Sequence, residues 1–175
     1  KRLEKIEILS KFIKKIKKDE LQDIIYLFQG KVFPDWDERK LGVSSRLLLK
    51  AISQAAGVSQ DKVEKEWARK GDLGEVTAEF MKEGKQKTLF SEKLNVKKVI
   101  SNFRKLVELE GSGTVNKKLG LLVEMLISSS PQEAKFIVRT GLEDLRIGVA
   151  AGVLRESIAV AYKADVKDVE NAYNL

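Results

Sequence analysis

The chain has neither cysteine nor histidine. The first absence excludes disulfides, thiolate zinc sites and thiol nucleophiles. The second removes the usual general base near neutral pH and the commonest transition-metal ligand. No apolar run approaches the ~20 residues of a membrane span, and no signal peptide is visible. No run alternates in the manner of a strand. For catalysis the chain offers only Asp, Glu, Lys, Ser and Tyr. Its adjacent carboxylates, Asp19–Glu20 and Glu143–Asp144, flank helices, where capping and dipole pairing are their expected roles. Nothing resembles an assembled active site.

What is present is charge. Of 175 residues, 34 % are charged, and 33 Lys and Arg against 26 Asp and Glu leave a formal +7. That excess favours a polyanionic partner, nucleic acid before a membrane surface. Enrichment in both signs also fits a hot habitat, and the two readings are compatible. The length suits one domain or two intimately packed halves with a proper core. The chain opens on Lys1 rather than Met, which reads as a processed or excised piece, and Leu175 reads as close to a domain boundary.

The organising stretch is Leu145 to Tyr162. Val149, Val153, Leu154, Ile158, Ala161 and Tyr162 recur at helical steps and share one face. Arg146 and Gly148 precede that helix, a basic and a flexible residue where free N–H groups and the positive dipole end suit an anion. Alone this is also how an ordinary core helix begins. The pattern, however, occurs twice. Gly42, Val43, Leu48, Ile52, Ala55, Val63 and Glu64 recur 106 residues on as Gly148, Val149, Leu154, Ile158, Ala161, Val169 and Glu170, and Trp67 matches Tyr173. The preceding helix has a counterpart too, Asp19 to Gly30 against Ser130 to Gly141. We expect an ancient duplication, with pseudo-symmetric halves at about 1–90 and 91–175. Two basic loops on a repeated unit suggest a ligand with its own repeat, as a duplex has.

The fold class is therefore all-α, roughly ten helices. An amphipathic helix covers 3–17, with Leu3, Ile6, Leu9, Ile13 and Ile16 on one face. Asp19 caps the next, with Gln22 completing a capping box. Residues 31–41 form an ordered loop in which Trp36 is expected to be buried. Helices follow at 43–56, from Ser59 to about Arg69, through Val76 to Met81, from Asn95 through Val107, and through Leu119 to Leu126. Ser130, Pro131 and Glu133 mark another N-terminus, and helices at 149–162 and 166–173 end the chain. Residues 84–95 read as polar and extended.

Two further stretches bear on binding. Gly111-Ser-Gly-Thr114 with Lys117 and Lys118 places free backbone, hydroxyls and two ammonium groups at a helix start, as a phosphate-binding loop requires. It lacks the Walker A spacing, and a plain linker between halves is the alternative. With residues 42–46 and 146–148 it makes three basic helix starts. No arginine-rich recognition helix stands out, so the expected binding is sequence-independent and steeply salt-dependent. The candidate contacts are Ser44, Ser45, Arg46, Gly111, Ser112, Gly113, Thr114, Lys117, Lys118, Arg146 and Gly148. Gln86-Lys-Thr-Leu-Phe90 carries a Leu–Phe pair on a polar loop, which either tucks into the core or docks in a partner's pocket.

Lys70-Gly-Asp-Leu-Gly74, Gln86 to Phe90, Gly111-Ser-Gly113 with Lys117 and Lys118, and above all Leu145-Arg-Ile-Gly-Val149 resemble the N-terminal DNA-binding domain of archaeal and eukaryotic ATP-dependent DNA ligases. The likeness spans essentially the whole chain in the family's order. It implies an all-helical domain of two pseudo-symmetric halves that grips nicked duplex across the minor groove, with an archaeal source. It implies adenylation and OB-fold domains outside this chain, with ATP and Mg2+ as cofactors of the full-length ligase and none in this fragment. Roles in DNA replication, repair and recombination follow, with a cytoplasmic, nucleoid-associated location, nuclear in a eukaryote. Gln86, Leu89 and Phe90 are similar to the family's peptide for the sliding clamp (PCNA). The family's adenylated lysine lies in Lys-x-Asp-Gly. Here Lys-x-Asp at Lys17, Lys70 and Lys163 is followed by Glu20, Leu73 and Val166. The fragment is therefore not expected to be an enzyme. A helical protein-interaction scaffold that binds a clamp without direct DNA affinity is the rival from another class.

Overall fold

The structure, a computed structural model, describes residues 1–34, 36–83, 94–111, 113–144 and 149–173. The described residues form ten helices and no strand: α1 Arg2–Ile13, α2 Lys18–Phe28, α3 Ser45–Ala56, α4 Gln60–Lys70, α5 Leu73–Glu83, α6 Val96–Glu108, α7 Thr114–Ile127, α8 Pro131–Gly141, α9 Ala151–Tyr162 and α10 Val166–Tyr173. The expected all-α class holds. No described helix is long and apolar enough to cross a membrane.

The chain divides into two compact units. Unit 1 comprises Lys1–Gln29 and Ile147–Leu175, so α1, α2, α9 and α10. Helix α9 packs on α1 and α10. Ile13, Leu154 and Ala161 form its core, covered by Leu21, Ile25 and Phe28 of α2 and by Val149 and Ile158. These positions recur at three- and four-residue steps, which is why a polar-faced helix turns this side inward. Tyr162, expected on that face, is half exposed at its edge. Phe12 of α1 meets Phe28 edge to face at 5.9 Å.

Unit 2, Gly30–Arg146, holds α3 to α8. Helix α7 contacts α3, α6 and α8, while α5 lies on α8, α3 and α4. Leu48, Ile52, Val63, Leu73, Phe103, Leu106, Leu122, Met125 and Leu126 are fully buried between them. Local chemistry fixes several helix ends. Ser44, Ser59 and Asn95 each accept a first-turn N–H, and Ser130 with Glu133 forms a complete capping box. Gly57 and Gly71 close α3 and α4 in the left-handed conformation.

Packing and repeat cut the chain differently. Helix α3 begins and ends 106 residues before α9, and α4 begins 106 before α10. Yet α2 lies with α9 in unit 1, whereas their counterparts α8 and α3 lie in unit 2. Each unit thus draws one such helix from each copy, and the duplication stands as our proposal from sequence.

Two expectations are corrected. Asp19 does not cap α2. The helix starts two residues earlier than that cap implies, at Lys18, with Lys17 as an N-cap that makes no side-chain bond, so Asp19 falls inside the first turn as a dipole partner. Trp36 is not buried. It is 78 % exposed, because Val32, Phe33 and Leu41 fill the space beneath its loop.

Candidate nucleic-acid interface

Unit 2 carries two of the three basic helix starts. Helix α3 opens at Ser44, whose extended backbone (φ −78°, ψ 153°) lets its Oγ accept the Leu47 N–H at 3.2 Å. The N–H groups of Ser45 and Arg46 lie in the first turn, where no intrahelical carbonyl can reach them. Ser44 and Arg46 are exposed and Ser45 is half-buried.

Helix α7 opens on Gly113, at φ +83°, with no side chain to cap the helix. A left-handed angle is why glycine stands there, since an L side chain would cost about 1–2 kcal/mol. Thr114 Oγ1 donates to the Gly111 carbonyl at 2.8 Å, folding the turn onto the helix start. The first-turn N–H groups of Thr114, Val115 and Asn116 have no intrahelical acceptor. Lys117 is exposed and Lys118 half-buried.

The two starts meet at Lys118. Its Nζ lies 3.6 Å from where a Cβ on Gly42 would stand. An ammonium group carried near the start of α7 thus lies beside the turn leading into α3, two helices that pack on each other. Charge separates these ends from most others. Helices α1, α2, α4, α5, α8 and α10 each hold a carboxylate in the first turn, which offsets the positive end of the dipole. Helices α3, α6, α7 and α9 hold none, and α6 is closed by Asn95, which accepts the Lys98 N–H at 2.9 Å. The three ends singled out by sequence are among these four.

Arg146 and Gly148, ahead of α9, lie outside the described residues, as do Ser112 and the Gln86, Leu89, Phe90 peptide. The structure places Ser44, Ser45 and Arg46 at the start of α3 and Gly111, Gly113, Thr114, Lys117 and Lys118 at the start of α7, with Lys118 reaching the turn before α3. Sequence reasoning missed an open groove of about 430 Å³ between α6 and α7, lined by Lys105, Glu108, Leu109, Lys117, Gly120, Leu121 and Glu124. Its signal was Gly120, a glycine in mid-helix whose Cβ would meet nothing. No three carboxylates among the described residues gather closely enough to hold a metal ion.

The sequence profile of the DNA ligase N terminus matches residues 1–159. The chain belongs to the DNA ligase N-terminal family. It is 45 % identical to a DNA ligase of Methanosphaera stadtmanae over 99 % of this chain and 32 % of that protein. It is 44 % identical to one of Thermococcus onnurineus, over 98 % of this chain and 30 % of that protein. A ligase of Methanothermobacter thermautotrophicus matches at 43 % over 100 % of this chain and 31 % of its own length. The chain thus spans about a third of the curated relatives it matches.

In this ligase N-terminal domain, Lys70-Gly-Asp-Leu-Gly74 runs from the end of α4 into α5 and meets α8 through Asp72 and Gly74. Asp72 caps α5, accepting the Glu75 N–H at 3.1 Å, and pairs with Arg139 of α8, Nε to Oδ1 at 3.3 Å. Glu75 pairs with Lys135 in the same seam. Burial pushes the Asp72 carboxyl up, but the Arg139 guanidinium and the N–H groups of Glu75 and Gly74 outweigh it and hold the carboxyl below its ordinary value. Gly74 lets the helices close: a Cβ there would stand 2.8 Å from the Lys135 carbonyl oxygen. Helix α8 packs in turn on α7, so this seam supports the scaffold of the interface.

Proposed function

We propose that this domain holds nicked duplex DNA by its backbone phosphates in the minor groove, independently of sequence, and so supports ATP-dependent nick sealing by a full-length ligase. The observation that carries the reading is the pairing of the α3 and α7 starts around Lys118. Two uncapped donors at one start, three at the other and an ammonium between them suit two phosphates of a strand. The net +7 and membership of the ligase N-terminal family support the same ligand. In this reading Ser44, Ser45, Gly111, Gly113 and Thr114 act through backbone and hydroxyl donors, and Arg46, Lys117 and Lys118 through charge. Ser112, Arg146 and Gly148 join them on sequence grounds alone.

ATP and Mg2+ are assigned to the full-length ligase, because no Lys-x-Asp in this chain is followed by glycine. A place in DNA replication, repair and recombination, and recruitment of the sliding clamp (PCNA) through Gln86, Leu89 and Phe90, belong to the same proposal. The test is duplex affinity against salt for Lys117→Ala, Lys118→Ala and Arg146→Ala. Each should weaken binding about equally on unrelated sequences and lower the log–log salt slope by about one. A change in sequence preference would contradict the mechanism. Clamp binding without any duplex affinity would favour the scaffold reading.

A further inference from the structure

The loop of residues 31–41 presents an aromatic side chain that the fold does not use. Trp36 is 78 % exposed, on a loop whose other described residues include several that are anchored. The Pro34 carbonyl accepts the Asp37 N–H at 3.0 Å, so Trp36 stands at the corner of a closed turn. Arg39 grips Asp37 at two points, Nε to Oδ1 at 2.9 Å and Nη2 to Oδ2 at 2.6 Å. The same guanidinium lies 4.1 Å from the centre of the buried Phe33 ring. Arg104 of α6 approaches that ring to 6.0 Å and donates to the Val32 carbonyl at 3.2 Å. A turn anchored on both sides that leaves its largest side chain in water is arranged to present it.

Its surroundings point to the occupant. The loop runs directly into Gly42, beside Lys118. Arg39 lies within electrostatic reach of Glu108, the last residue of α6, which leads into the Gly111–Gly113 turn. The loop that carries Trp36 therefore lies against the C-terminal half of α6 and leads, six residues on, to the turn that Lys118 reaches. Lys31, Arg39 and Lys40 balance Asp35, Asp37 and Glu38 in sequence, so the segment is formally neutral. A neutral tip bearing an indole does not seek phosphate. It fits the apolar surface that lies between phosphates. In an intact duplex the base faces are stacked inward, and that outer apolar surface is deoxyribose.

We infer that Trp36 packs its indole against the deoxyribose of the duplex whose phosphates the starts of α3 and α7 hold. The inference rests on the DNA-holding reading above, and the experiment separates the two. Acrylamide quenching of tryptophan emission is measured with and without intact or nicked duplex, for the unaltered chain and for Trp36→Phe. The second trace reports Trp67 alone, so the difference isolates Trp36. Quenching of Trp36 should fall several-fold on intact and nicked duplex alike. Trp36→Ala should bind duplex about ten-fold more weakly with an unchanged salt slope, and Trp36→Phe should recover most of that loss. If duplex binds while Trp36 stays fully quenchable, the inference is wrong and the loop faces a protein partner. Protection on nicked duplex alone also overturns it, since the indole would then stack on a base at the break. Failure of the unaltered chain to bind any duplex would instead remove the DNA reading itself.

Discussion

Replacing Gly74 by alanine tests the account of the α5–α8 seam. Alanine is ordinarily the better helix former by about 1 kcal/mol, so propensity alone predicts stabilisation. The structure predicts the opposite sign. The added Cβ would stand 2.8 Å from the Lys135 carbonyl oxygen, 2.8 Å from Arg139 Cγ and 3.0 Å from Arg139 Nε. The arginine cannot swing away freely, because its guanidinium is paired with Asp72 and its side chain is only 10 % exposed. The carbonyl belongs to the α8 backbone and moves only with the helix. Overpacking of this kind costs about 1–3 kcal/mol, and loosening a largely buried ion pair adds to it. After the propensity gain is subtracted, Gly74→Ala should lose about 2 kcal/mol, or roughly 4–8 °C in Tm for a chain of this size. Urea and thermal unfolding followed by far-ultraviolet circular dichroism would measure it. A variant as stable as its parent would refute the close approach.

Gly120→Ala should carry the reverse sign. Its Cβ would meet nothing in mid-helix, so urea unfolding should show a gain of about 0.5–1 kcal/mol. Asp72→Asn should destabilise by about 2–3 kcal/mol near neutral pH, since it leaves Arg139, 8 % exposed, with only the 3.5 Å contact to Glu75 as an anionic partner. The folded-state pKa of Asp72 is lowered, so its contribution is present above the ordinary value of 3.8 and is lost as pH falls through the lower folded value. Parent and variant should therefore converge in acid, and a pH-independent difference would sink the pairing argument. Ser44→Ala removes the cap on Leu47 and should cost about 1 kcal/mol in unfolding while weakening duplex binding by less than Lys118→Ala does. Equal losses of affinity would mean that the lysine acts through folding rather than charge.

The legible features were those decided within a few residues. Ser59, Asn95 and Ser130 announce helix starts because a cap and its N–H group are three positions apart. Asp19 misled because two acidic residues follow Lys18, and either a cap or a first-turn dipole partner satisfies that pattern. The face of α9 was readable from spacing, but the exposure of Tyr162 depends on where its neighbours stop. Trp36 was misjudged for the same reason. Indole burial is a tertiary outcome, and the loop core is filled by Val32, Phe33 and Leu41 instead. The role of Asp72 and Gly74 lies in α8, more than sixty residues away, and no local pattern points there. The basic helix starts were visible singly. That Lys118 brings two of them together needed the packing of α3 on α7.

The central claim is that these helix starts hold DNA by its phosphates. Its most direct test is fluorescence anisotropy of this chain with nicked and intact duplexes of two unrelated sequences, titrated at several salt concentrations. The account predicts equal affinity for both sequences and a steep linear fall of log affinity with log salt, whose slope gives the number of phosphates held. A preference for one sequence, or no binding at low salt, would contradict it.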